Sequence, residues 1–253
     1  MTQDLPTQFD ERIRPDIVKR AVLSIQSKNI QPEGTSPEAG MQHVTRWRQR
    51  RRVYRRSKGL GRSRTPRKIM QGRGMQQLGE GAEAPQTRGG RTAHPPKAEK
   101  DHSEEINNKE RRKAIRSAIA ATNNKELVNS HHEYDGELPL TTNEVSDIEK
   151  TNKLQEHLEE LGLEEELERA SQKKVRSGKG ANRGRKYARK RGPLLVIAED
   201  EGISKAASNI PGLEISLVDQ LNAQKLSMGE KPGRLTIWTE KSLEKLDEEE
   251  LYQ

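Results

Sequence analysis

The sequence predicts an α/β fold, a three-layer sandwich with a mostly parallel sheet, interrupted by a long internal basic extension without regular structure. Three observations carry this. Beyond Pro193, short apolar runs alternate with helix-like segments, the pattern of strands joined by crossover helices. Upstream, two amphipathic helices supply apolar faces able to cover a sheet. Between those helices lies the segment 42–97, where sixteen Lys and Arg stand against Glu80 and Glu83, and whose large apolar residues keep neither helical nor strand period.

The first thirteen residues are polar and unpatterned. Pro15 then stands where the first turn of a helix tolerates proline, and Ile17, Val18, Ala21, Val22 and Ile25 share one face. That helix ends before QPEGTSPEAG at 31–40, a loop by its prolines and glycines. The extension follows, with eight Gly and four Pro. Its apolar surface is too small for a core, and a structureless loop of this length is functional or disordered. We expect it to order on nucleic acid.

Asn107, with Glu110 three residues on, has the form of a capping box opening NKERRKAIRSAIAAT. Ile115, Ala118, Ile119 and Thr122 face inward, while Lys109, Lys113 and Arg116 offer charge to a partner. Residues 124–142 are mixed, with a weak strand at 137–141. A Glu-rich helix then turns Leu154, Leu158 and Leu161 inward and leaves the carboxylates of 156–168 solvated. Next comes KKVRSGKGANRGRKYARKR at 173–191, with ten Lys and Arg and no acid. After Pro193, LLVIA reads as a strand buried on both faces, 203–209 as a short helix, 213–217 as a strand and 219–226 as a helix. Residues 235–238 form the third strand of this region. The last helix spans 241–250, with Thr239 placed to cap it and Leu243 and Leu246 turned toward the sheet.

Charge divides along the same lines. The whole chain carries +8, the extension +14 and the 173–191 stretch +10, so the other 178 residues sum to minus 16. An acidic body bearing two cationic fingers suits a polyanion. Hydrophobic residues make up only 29%, so the core is small. No run approaches the ~20 apolar residues of a membrane span, and the N-terminus lacks a signal-peptide apolar stretch. With no cysteine, disulfides and thiolate chemistry are excluded. These features predict a cytoplasmic protein with no membrane partner.

Motifs for catalysis fail on inspection. GEGAEA at 79–84 approaches a dinucleotide fingerprint, but no strand precedes it and Pro85 follows. SGKGANRGR at 177–185 lacks the spacing of a phosphate-binding loop. His131, His132 and Glu133 point apart and have no third ligand, so they read as a polar loop. We expect no catalytic residue, no metal and no cofactor. The rival reading, an α/β enzyme acting on RNA or nucleotides, requires a polar pocket at the sheet's C-terminal edge, and no strand ends in such a cluster. RNA is favoured over duplex DNA, because the extension interleaves Trp47, Tyr54 and His94 with arginines, flat surfaces beside phosphate forks. It also contains no helix suited to a major groove.

RGGRTAHPPK at 88–97, NNKERRKAIRSAIAAT at 107–122, SGKGANRGRKY at 177–187, SNIPGLEI at 208–215 and PGRLTIWTEKSLEKL at 232–246 occur in the order found in the L4 family of large-subunit ribosomal proteins. The chain resembles the archaeal and eukaryotic form of that family from Arg14 onward. The resemblance implies an α/β body on the ribosome's outer face and an extension threading into ribosomal RNA as part of the peptide exit tunnel wall. The implied partners are large-subunit ribosomal RNA, neighbouring ribosomal proteins and the nascent polypeptide. The chain departs from the family where a short strand usually precedes the first helix, and where Ser130-His131-His132 replaces Arg-Gly-His.

The domains expected are an N-terminal helical part of the body at 1–41, the RNA-threading extension at 42–97, and the α/β body at 98–253 with its second basic segment at 173–191. In the extension, the residues expected to bind RNA are Arg46, Trp47, Arg48, Arg62, Arg64, Arg67 and Lys68, followed by Arg73, Arg88, Arg91, His94 and Lys97. In the second segment they are Arg176, Lys179, Arg183, Arg185 and Lys186. Composition and the resemblance together place the tunnel-facing tip around Met70, Gln71, Arg73, Met75, Gln76 and Gln77.

Overall fold

The computed structural model describes residues 5–48, 50–53, 58–59, 61–69, 79–143, 145, 148 and 150–252. They fall into two units, residues 1–29 with 103–253, and residues 30–102. In chain order the elements are α1 (Pro15–Lys28), β1 (Thr45–Arg46), β2 (Arg67–Lys68), α2 (Asn108–Thr122), α3 (Lys125–Asn129) and β3 (Leu140–Thr142). After them come α4 (Thr151–Glu160), α5 (Glu164–Ser171), β4 (Lys173–Val175), α6 (Lys179–Asn182), β5 (Tyr187–Arg189) and β6 (Leu194–Ile197). The chain closes with α7 (Ile203–Ala207), β7 (Glu214–Leu217), β8 (Ser227–Met228), β9 (Lys231–Pro232), β10 (Thr236–Thr239) and α8 (Glu240–Glu248).

The larger unit is built on a four-stranded sheet ordered β3-β10-β6-β7, parallel throughout. Ile237 lies opposite Leu140 on one side and Leu195 on the other, and Leu195 faces Ile215. Side-chain alternation along a strand then divides the core. Leu194, Val196 and Trp238 join Val18, Ala21 and Val22 of α1, Ile115 and Ile119 of α2, and Leu243 and Leu246 of α8. Leu195, Ile197 and Ile237 face the other way, toward Val128, Leu154, Leu158, Ile203 and Ala206 on α3, α4 and α7. The sheet thus lies between two helical layers, as an α/β sandwich requires.

Several elements differ from expectation, each for a local reason. No described strand precedes α1. Instead a 3₁₀ turn at Thr7–Asp10 sets Phe9 edge-on to Trp238, with centroids 5.4 Å apart. The Gln8 amide donates to the carbonyls of Leu246 and Leu251. The Glu-rich helix is two helices, because Gly162 takes a left-handed φ of 76° and the N–H groups of Gly162 and Leu163 bond back to Glu159 and Leu158, the Schellman end.

Residues 219–226 are not a helix. A 3₁₀ turn ends at Gln220, and the Asn222 side chain then accepts from the Lys225 N–H, offering the backbone a turn in place of a helix. Neither foreseen side-chain cap forms. Asn107 caps α2 through its carbonyl, which accepts from the Arg111 N–H, and Glu110 pairs with Arg20 at 3.3 Å. Thr239 donates its hydroxyl to Val196 O at 3.2 Å. The strand foreseen at 137–141 is β3 at 140–142, one of the two edge strands of the sheet.

Phe9 is the chain's one phenylalanine and is buried against Trp238. Phe9→Ala should therefore destabilise this unit by about 3 to 5 kcal/mol, read from urea unfolding followed by tryptophan fluorescence; a loss under about 1 kcal/mol would show that this contact does not hold the N-terminus.

Candidate nucleic-acid interface

The stretch 173–191 folds as a hairpin. β4 and β5 pair antiparallel, with Lys173 opposite Arg189, Lys174 opposite Ala188 and Val175 opposite Tyr187. The Arg176 N–H bonds to Lys186 O and its Nε to Tyr187 O, and the four-residue α6 closes the tip. Of the expected contact residues, Arg176, Lys179, Arg183, Arg185 and Lys186 are all exposed, as are Lys173, Lys174, Arg189 and Lys190. Among the described residues, none of these nine forms an ion pair with a carboxylate.

Two strands of three residues carrying this much like charge are marginal by themselves, and the root of the hairpin shows what holds them. Arg169 grips Glu166 through Nε at 2.7 Å and Nη2 at 2.6 Å, and the same Nη2 donates to the Arg191 carbonyl at 2.7 Å. His132 Nδ1 lies 2.7 Å from Glu166 Oε1, and the Glu133 N–H donates to Oε2. The Arg191 side chain reaches Glu214 at 3.2 Å and the carbonyl of Gln224. Arg234, with no exposed surface, donates to Glu214, Lys225 O, Gly192 O and Pro193 O.

The charges respond to this packing. Burial pushes the Glu166 carboxyl up, but the hydrogen bonds from Arg169 and His132 outweigh it and hold its pKa at about 2. Glu214 is likewise lowered, Arg234 prevailing over burial. Burial draws Arg234 down to about 10 despite Glu214, which leaves it charged at neutral pH.

These groups correct two sequence readings. Glu166 was expected to be solvated and His132 to sit in a polar loop, yet both side chains are fully buried. Each carboxylate oxygen of Glu166 has a partner, so its burial is compensated. The root residues Glu166, Arg169, Arg191, Glu214 and Arg234 were not foreseen. The available signals were the Glu166/Arg169 spacing on one helix and an arginine set directly before the apolar run LTIW.

In the smaller unit, β1 pairs antiparallel with β2, placing Arg46 opposite Arg67, and the segment 79–82 lies against β2 through Lys68 N–H to Glu80 O and Ala82 N–H to Pro66 O, with a single bridge between Arg67 and Gly81. Arg67 does not face solvent freely. Its guanidinium donates to Gly79 O and to Ser63, and Lys68 pairs with Glu80 at 3.3 Å. Glu83 accepts from the Thr45 hydroxyl. Both acids of the extension are therefore used internally. Residues 84–91 form tight turns, and a side chain at Gly90 would come within 2.0 Å of Ala84 O. Trp47, Arg62, Arg64, Arg88, Arg91, His94 and Lys97 are exposed, whereas Arg46 and Arg48 are half-buried. Tyr54 and the expected tip residues Met70, Gln71, Arg73, Met75, Gln76 and Gln77 lie outside the described residues.

A cleft of about 230 Å³ does form where β6 and β10 end, lined by Ile197, Ala198, Glu199, Glu201, Ile203, Thr239 and Lys241. Its Glu199, Glu201 and Lys241 are exposed to solvent.

Replacing Glu166 with Gln strands Arg169, and should cost about 3 to 5 kcal/mol with loss of amide protection in β4 and β5. The pH dependence has a fixed sign. A carboxylate lowered to about 2 from the ordinary 4.5 stabilises fully above about pH 4.5 and loses that contribution, of order 3 kcal/mol, as pH falls toward about 2. Urea unfolding at pH 6 and at pH 2.5 should show a smaller acid loss in Glu166→Gln than in the parent chain. Equal acid losses would rule out this role.

The family model described as "Ribosomal protein L4/L1 family" matches residues 3–249. Three archaeal proteins, each named large ribosomal subunit protein uL4, are similar along nearly their whole length. The one from Nanoarchaeum equitans is 47% identical over 251 residues, covering 98% of this chain and 94% of that protein. The one from Archaeoglobus fulgidus is 43% identical, covering 97% and 92%. The one from Halobacterium salinarum is 41% identical, covering 97% and 93%. With a family match across almost every residue, and relatives this similar from end to end, the chain belongs to the ribosomal protein L4/L1 family.

Proposed function

We propose that this chain is a non-enzymatic structural constituent of the large ribosomal subunit in the cytoplasm. It fixes folded ribosomal RNA with the hairpin at 173–191 and the extension at 42–97, and adjoins other large-subunit proteins. One observation carries the interface reading. Among the described residues, every strongly exposed large apolar side chain (Ile30, Met41, Val44, Trp47, Ile69, Val175 and Tyr187) lies in the smaller unit or in the basic hairpin. The described residues of the larger unit outside that hairpin have none. Apolar and aromatic surface left bare amid cations suits unpaired bases flanked by phosphates.

In this reading the exposed Arg62, Arg64, Arg88, Arg91 and Lys97 take phosphates, with Arg46 and Arg48 beside them, while Trp47 and His94 meet bases. Arg67 and Lys68 work mainly by holding β2 to the segment 79–82. The segment from Met70 to Gln77, neutral except for Arg73, faces the nascent chain in the exit tunnel, because neutral flexible side chains grip a passing polypeptide weakly.

The affinity of the full chain for large-subunit ribosomal RNA should fall steeply with salt, its logarithm dropping by roughly 0.7 to 0.9 per phosphate contact for each unit of log salt. A slope equivalent to one or two contacts would exclude the two-segment interface. For the tip, a chain lacking residues 70–83 should still enter large subunits and leave a wider tunnel in a cryo-electron map. Failure to incorporate, or an unchanged lining, would refute the assignment.

A further inference from the structure

We propose that Tyr187 and Val175 form a stacking platform for one unpaired nucleotide base of the RNA, so that the hairpin recognises an extruded or single-stranded base in addition to phosphate charge. The inference rests on the RNA-binding reading above and names a subsite within it.

The register sets the platform. Val175 and Tyr187 are directly opposed in the antiparallel ladder, so their side chains emerge side by side on one face. Lys173 and Arg189, the next opposed pair on that face, lie two residues along each strand. In a solitary hairpin such an apolar pair normally turns inward for cover, yet Val175 is 59% exposed and Tyr187 53%. Cover is available nearby, since Ala170 and Leu194 on either flank of the hairpin are completely buried. The pair therefore stays outside the core that its neighbours join.

Charge around the ring selects the occupant. The ammonium groups of Lys173 and Lys186 stand 6.0 and 5.5 Å from the Tyr187 centroid, within cation–π range of an exposed ring. The hairpin contains no acid. An aromatic face bordered by two ammonium groups offers stacking to a base and charge to its phosphates, the pairing found where proteins hold single strands. A neighbouring protein's apolar side chain would take the Val–Tyr surface but leave these cations unused. Arg176 ties the ladder through the Tyr187 carbonyl, so the ring stands on a hydrogen-bonded strand.

The test compares the full chain with Tyr187→Leu, which keeps apolar bulk and removes the π face, and with Tyr187→Trp, which enlarges it. The probes are an unstructured single-stranded RNA decamer carrying 2-aminopurine and a fully paired RNA duplex with the same number of phosphates. Tyr187→Leu should weaken single-strand binding about 5- to 150-fold, the range of one aromatic–base stack. It should also reduce the 2-aminopurine quenching, while leaving duplex affinity and both salt slopes unchanged. Tyr187→Trp should retain or improve single-strand binding.

Unchanged single-strand affinity in Tyr187→Leu overturns the proposal. So does an equal loss on both probes accompanied by loss of amide protection in β4 and β5, which would make the ring a structural brace. If Tyr187→Leu keeps both affinities but no longer co-sediments with large subunits, the platform serves a protein neighbour and the proposal fails. A parent chain that binds neither probe would instead refute the RNA-binding reading itself.

Discussion

A guanidinium with no exposed surface, that of Arg234, sits where β10, β6 and β7 begin, and its four acceptors belong to three different segments of chain. Burying a cation costs several kcal/mol unless each donor is matched. Here the planar fork meets one carboxylate and three carbonyls, a geometry lysine's single ammonium does not reproduce. Because two of those carbonyls are Gly192 and Pro193, the same bonds that align the strand starts also fix the point from which the hairpin leaves the sheet. Sheet and cationic finger thus share one polar joint. Glu214 completes it by pairing with both Arg234 and Arg191.

The joint answers an electrostatic problem. Ten cations in nineteen residues without an acid repel one another, and the repulsion is strongest in the hairpin that must present them together. Neutralising them in place would spoil the surface for a polyanion. The protein instead sets two ion pairs, Arg169 with Glu166 and Arg234 with Glu214, beneath the root, where their guanidiniums hold the carbonyls of Arg191, Gly192 and Pro193 without covering the finger. Their lowered proton affinities measure how firmly the surrounding cations hold them ionised.

Much of the fold was legible because its signals are local. Continuous apolar runs marked β6 and β10, alternation at 213–217 marked β7, and the stripes of α1 and α2 named the residues that now line one layer. What escaped depends on contacts distant in sequence. Glu166 looks like any other glutamate in an acidic helix, and only its partners His132 and Glu133, more than thirty residues away, explain its burial. Thr239 and Asn107 occupy cap positions, but the Thr239 hydroxyl is claimed by Val196 O on the adjacent strand. The 219–226 segment has helical composition, yet Asn222 diverts it into a turn. For the interface, charge alone located both basic segments. Which cations face outward and which brace the protein was not legible, since Arg67 and Arg88 look alike in sequence and differ only in what folds against them.

That distinction separates the two basic segments by mechanism. In the extension, Arg67, Lys68, Glu80 and Glu83 are bound up in local contacts that gather β1, β2 and the segment 79–83, so part of its charge maintains its own shape. In the hairpin, the joint beneath the root does that work and the finger's exposed cations remain available. A surface whose shape is held from below loses little conformational entropy on meeting RNA. The hairpin is accordingly the segment better suited to the proposed placement of a single exposed ring against one base.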